Sequence, residues 1–244
     1  MSMNNLLSAL NNFQETTDKE YYEANNDGSN VLLERQFEKL ARTIIYKGHI
    51  RVNHRFDIYA RSVEFYFHVE DAEHDQRYIH DPVMFHRNSV EGEEQYKRPF
   101  FKLGHFNLHP YGLDITFEKE NVYRASALIK EFNVVDNQAG TSQDFKDWTS
   151  SYVYDYIQFE DESEENPNKD IHIEWIDDEE PSNPTLSAAV PRKGIFKFII
   201  NADGHQTHDK KTDEKGNKVK DLRPWRFYRA EPYNLLSRLL DARK

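Results

Sequence analysis

Residues 62–69 read Ser-Val-Glu-Phe-Tyr-Phe-His-Val. β-Branched and aromatic side chains fill this run, and they fit a pleated, half-buried surface better than a helix. It is read as a strand. Glu64 is the residue out of place. A carboxylate inside VEFYF costs free energy unless it has a partner or a task. The plainer alternative is that strand alternation turns it to solvent.

Working outward, residues 50–56 read as a further strand, and 112–117 with 123–132 as a strand pair joined by the polar 118–121. In 171–176, Ile171, Ile173 and Trp175 alternate with His172 and Glu174, and 194–201 (GIFKFIIN) reads as a buried strand. Helical spacing occurs twice before the strands. Leu6, Leu7, Leu10 and Phe13 form one stripe. Leu32, Leu33, Phe37, Leu40, Ala41, Ile44 and Ile45 form the other, which should stop near Lys47-Gly48. Residues 23–30 (EANNDGSN) read as a linker, Asp203-Gly204 and 215–217 as turns, and 235–240 as a last helical turn. No internal repeat is visible. The expected architecture is α+β: one domain at 30–244, dominated by antiparallel strands, behind a helical extension and linker at 1–29. The strands at 62–69 and 194–201 should share one sheet, with the helix at 6–13 outside it.

A chain of 244 residues is the size of one large domain. Aromatics at 14% separate it from disordered chains despite 31% charged residues. The absence of cysteine excludes disulfides, a thiol nucleophile and thiolate zinc sites. No apolar run approaches the roughly 18 residues of a membrane span. The first residues lack a basic and apolar leader, so the expected compartment is the cytoplasm. The net charge is −11, and its distribution matters more than its size. Residues 155–181 hold twelve acids against Lys169 alone, which accounts for the whole imbalance. This acidic insertion reads as a solvated loop lying away from Glu64. Basic clusters stand elsewhere, at Lys97, Arg98 and Lys102, at Arg192 and Lys193, and at Arg223, Arg226 and Arg229.

Eleven histidines raise the question of a metal. His105 and His109 are four apart, but Gly104 and Pro110 beside them oppose a helix that would pair them. His74, His80 and His86 match no zinc spacing, and no metal or cofactor is expected. A Gly-rich phosphate loop and a G-x-S-x-G elbow are both missing, which removes support for nucleotide hydrolysis and serine hydrolase chemistry. Glu64 with Tyr66, His74 and Tyr111 suits a general base beside a flat, stacked substrate.

Several islands of sequence, in order, resemble the alkyladenine (methylpurine) DNA glycosylases. Residues 40–48 (LARTIIYKG) are similar to the family's A-R-x-L-L-G-K helix, and 63–74 (VEFYFHVEDAEH) to its V-E-A-Y…E-D…A-H segment. DPVMF, GHFNLHPYGLDI and SALIKEF follow, then PRKGI at 191–195, RPWRFY at 223–228 and Ser237. The resemblance implies a curved, mainly antiparallel sheet with flanking helices and a monomer that acts on damaged double-stranded DNA. It implies Glu64 as the base that activates water and Lys130 beside it, where the family has Arg. Tyr66 and His74 would sandwich the flipped base, and Tyr111 would fill the vacated stack. Arg192, Lys193 and Arg226 would face the DNA backbone. The family's N-G-P-G-K-L segment is absent, and the acidic run stands in its place. Two functions are therefore expected in order: metal-independent base excision of a modified purine, or a catalytically inactive relative that binds nucleic acid, a nucleobase or a protein.

Overall fold

The computed structural model describes residues 4–25, 30–70, 77–81, 83–84, 87, 89–91, 94–96, 98–109, 112–145, 171–193, 195–200 and 206–230. In chain order, helices α1 (Asn5–Thr16) and α2 (Val31–Tyr46) precede β1 (Gly48–Val52) and β2 (Phe56–Val69). Then come β3 (Ser89–Glu91), β4 (Glu94–Tyr96), β5 (Phe106–His109), β6 (Gly112–Thr116), β7 (Tyr123–Asp136) and β8 (Thr141–Phe145). β9 (Ile173–Asp177), β10 (Phe198–Ile200), β11 (Gln206–Lys210) and β12 (Arg226–Tyr228) complete the described strands, and a single 3-10 turn (Lys19–Tyr21) lies between the two helices.

Two strands of 14 residues, β2 and β7, carry the sheet. They pair antiparallel from Phe56 opposite Asp136 to Val69 opposite Tyr123, with an irregularity at Ala60–Val63. Each has an outer edge shared by two short strands. β1 and β12 divide the edge of β2, while β6 and β8 divide that of β7. β9 lies beyond β1 and β5 beyond β6, giving eight antiparallel strands curled into a half-barrel. Long strands twist, and a bulge adds bend, so the curl follows from the length of β2 and β7.

The helices close one face. Asn30 caps α2 by accepting from the backbone N–H of Leu32 (2.8 Å) and Leu33 (3.0 Å), and Asn4 caps α1 through Leu7 (2.8 Å). The apolar stripe of α2 then meets the sheet. Phe37 stacks on Phe65 at 4.5 Å and meets Trp225 edge-on at 5.4 Å. Phe13 of α1 stands 6.1 Å from Phe37 and 4.9 Å from Phe117. Each such fully buried ring is worth about 1.5–3 kcal/mol over its exposed state. No helix among the described residues is long and apolar enough to cross a membrane.

The expected α+β class with a curled antiparallel sheet is present, and four details differ. The stretch 50–56 is not one strand but a hairpin, turning at Asn53 and His54, both at positive φ. Asn tolerates that region, yet an Asn-His pair is a weak turn signal beside Asn-Gly. The strand expected at 194–201 shrinks to β10, which pairs with β11 in a separate two-stranded sheet. The strands at 62–69 and 194–201 therefore do not share a sheet, and the C-terminal strand that does pair with β2 is β12. Helix α1 does not stand apart from the core: Leu6, Leu10 and Phe13 are buried in the same cluster as the rest. Gly48 does not cap α2 but lies in β1, where a Cβ would fall 2.5 Å from the Trp175 ring. The expected turn at 203–204 and helical turn at 235–240 lie outside the described residues.

Candidate functional site

The sheet's second face is polar, and Glu64 lies on it. Val63, Phe65 and Phe67 point to the helices and are buried with them, so period two sends Glu64, Tyr66 and His68 the other way. The strand register aligns the neighbours on that face. Arg226 stands opposite Glu64 on one side and Leu128 on the other, with Asp114 beyond; Tyr66 faces Ser126 and Thr116 follows; His68 faces Arg124.

Glu64 is fully buried, so the solvent-facing alternative fails. One carboxylate oxygen accepts from the backbone N–H of Lys193 at 2.9 Å, and the other from the Tyr66 hydroxyl at 3.2 Å. Lys130 Nζ lies 4.0 Å and Arg226 Nε 3.8 Å from the carboxylate. Every one of these four neighbours is a donor or a cation. The arrangement can hold one oriented carboxylate as an acceptor. Burial, and then the charge of Glu64, push the Tyr66 hydroxyl well above its ordinary value, so it stays a proton donor to Glu64.

Tyr66 is covered on one ring face by Arg192, whose guanidinium carbon sits 4.7 Å from the ring centroid. That corrects the expectation that Arg192 faces DNA. Its side chain is fully buried and donates to both oxygens of Asp81, to Asp221 at 3.0 Å and to the Phe65 carbonyl at 3.3 Å. Arg223 completes the cluster, bonding Asp221, Asp81 at 3.2 Å and the His80 carbonyl at 3.1 Å. Both guanidiniums lie against the Trp225 ring, Arg192 at 5.1 Å and Arg223 at 4.3 Å from its centroid. A phosphate cannot reach a charge already enclosed by carboxylates. Burial works to raise Asp221, but the hydrogen bonds and charge of Arg223 outweigh it and hold the carboxyl below its ordinary range. Arg226 is likewise engaged, with Glu131 and with Ser62 Oγ at 3.0 Å, and only 14% of its side chain is exposed. Of the three cations expected at the DNA backbone, Lys193 is the one exposed at the surface.

Glu64, Tyr66 and Lys130 therefore come together. His74 and Tyr111 lie outside the described residues. So do residues 155–170 of the acidic run; in the part that is described Asp177, Glu179 and Glu180 are exposed, as a solvent-facing stretch requires, and several of its acids also hold partners. Asp177 accepts from the first backbone N–H of α1 (2.9 Å) and from Trp175 Nε1 (2.9 Å), Asp178 from His49 (3.1 Å), and Glu180 pairs with Lys47 (3.2 Å). Reading the sequence missed His68, Asp81, Asp221 and the buried His109–Asp114 pair at 3.0 Å. Asp81 and Asp221 are single acids 140 positions apart, and no local spacing could join them. His68 is fully buried beside them, and burial pushes its imidazole well below the ordinary value. Its Nδ1 accepts from the backbone N–H of Asp81 at 3.2 Å, which leaves any proton on Nε2. No protein-family model matches the chain, and no curated protein or solved structure matches it.

Proposed function

We propose that the chain hydrolyses the N-glycosidic bond of a modified purine flipped out of damaged double-stranded DNA, on a methylpurine-glycosylase-like version of the curled sheet. The observation that carries this reading is the fully buried Glu64 carboxylate, held by Tyr66 and the Lys193 backbone with two cations about 4 Å away. A base cannot be cut inside the stack, so it must be extruded and held against an aromatic wall, for which Tyr66 is the candidate. Glu64 would accept a proton from water attacking the sugar C1′ and would steady the oxocarbenium-like transition state. Lys130 would orient the carboxylate by its charge, and Lys193 would meet a phosphate.

A second reading has an observation of its own. Arg192 already covers one face of Tyr66, and both Glu64 oxygens already accept a hydrogen bond. These favour an inactive relative that binds a nucleobase, nucleic acid or a protein. Abasic-site formation on duplexes carrying alkylated, deaminated and oxidised purines separates the two. The glycosylase reading expects release from at least one duplex. It also expects Glu64→Gln to keep duplex binding while single-turnover release falls about 10²–10⁴-fold, the usual contribution of a positioned general base. Release unchanged in Glu64→Gln would exclude Glu64 as the base. Selective binding without release from any duplex would favour the second reading.

A further inference from the structure

The geometry points to a binding site for a zinc-class divalent cation at the other end of the sheet, formed by His54, His172 and Glu174. The three ligand atoms they offer all lie within 4.8 Å of one another. His54 Nδ1 is 3.3 Å from one Glu174 oxygen, and His172 Nε2 is 3.8 Å from the other. Zinc binds imidazole nitrogen and carboxylate oxygen at about 2.0–2.2 Å, so the edge of a tetrahedral site measures about 3.3–3.6 Å. The observed separations are already near that edge. Imidazole with one carboxylate suits zinc, nickel or copper rather than magnesium or calcium. All three side chains are open to solvent, which gives the ion a path and leaves a position for water.

The backbone fixes the ligands independently of any ion. Asn53 N–H donates to the His172 carbonyl at 2.8 Å, and His172 N–H donates to Asn53 Oδ1 at 2.9 Å. This pair of bonds pins the β1–β2 turn to the start of β9. His172 and Glu174 are two apart on an extended segment, so both point to one face. His54 is the telling residue. It sits at φ +56, next to Asn53 at φ +52, in a two-residue turn closed by Arg55 N–H to the Val52 carbonyl at 3.0 Å. Glycine is the favoured residue at the second position of such a turn, and an imidazole there carries a backbone cost of about 1–2 kcal/mol. The chain accepts that cost at the one place where the ring meets His172, at 4.7 Å between centroids, and Glu174. A bound ion would clamp β9 to the hairpin. The site is ten residues along β2 from Glu64, roughly 30 Å at the strand rise, so it does not depend on the function proposed for that residue.

The test is calorimetric titration of the full chain, after chelator treatment, with Zn²⁺. One equivalent should bind, and His172→Ala and Glu174→Gln should each weaken binding at least about tenfold. His54→Gly is the decisive variant, because glycine relieves the positive φ. It should lose binding by a similar factor while its metal-free thermal midpoint stays equal to the parent's or rises, so misfolding cannot explain the loss. The inference is overturned if the parent binds no Zn²⁺, or if His54→Gly with His172→Ala binds it as tightly as the parent does.

Discussion

Replacing Arg192 by Met separates two roles for the Pro191-Arg192-Lys193 segment. The Met side chain fills much of the arginine's volume, so little cavity is made and the loss is mainly one of charge and hydrogen bonds. Asp81 and Asp221 lose a guanidinium that donates to both, and the Phe65 carbonyl loses a donor at 3.3 Å. Removing one partner from a buried ion pair costs about 3–5 kcal/mol. Arg223 still holds Asp221 and still reaches Asp81 at 3.2 Å, which places this case near the lower bound, about 3 kcal/mol. Against a typical domain stability of about 5–15 kcal/mol, that is a large loss. Urea unfolding should show it as a lower midpoint at unchanged slope. Lys193→Ala, one residue on and exposed, should stay within about 0.5 kcal/mol of the parent. A midpoint for Arg192→Met within about 1 kcal/mol of the parent would refute the view that this arginine is a strut of the fold. Loss of salt-dependent DNA affinity at unchanged stability would return it to the surface role that its sequence suggested.

Gly48→Ala should destabilise the β1–β9 edge by about 1–3 kcal/mol, because the new methyl would meet the Trp175 ring at 2.5 Å and press on the Ile176 carbonyl. Thermal unfolding with amide exchange in β9 would read it, and a neutral result would mean that β9 gives way freely. Asp136 is held at about 2, from an ordinary 3.8, chiefly by the two hydrogen bonds of Arg55 and then by the backbone N–H groups of Gln138 and Ala139. A folded value below the unfolded one gives stability that is full above about pH 4 and is lost as the pH falls through about 2. Denaturation curves across that window should be shallower in Asp136→Asn, and an unchanged acid slope would exclude this pair as a contributor.

The helices and the polar or apolar sense of most strands were legible because their signals are local. Leu6, Leu10 and Phe13, or Val63, Phe65 and Phe67, repeat with the period of the element that buries them, and a period is a property of neighbours in the chain. The same holds for the suspicion raised by Glu64, a carboxylate in an aromatic run. Pairing across distance was not legible. The sheet of β2 took in β12, three residues long, and not the more apolar 194–201, because a strand's place is set by which backbone donors and acceptors remain unpaired once the chain is folded. Charge behaved alike. Arg192, Lys193 and Arg226 read as a surface for phosphate, and folding turned Arg192 inward to Asp81 and Asp221, beside Arg223, and Arg226 to Glu131, leaving Lys193 exposed. A guanidinium's partner is whichever carboxylate the fold brings within about 3 Å, and sequence separation says nothing about that distance. The sequence determined which segments form helix or strand and which residue types were available for chemistry; the tertiary structure decided which of those charges are spent on holding the fold and which carboxylate is left at the centre of the polar face.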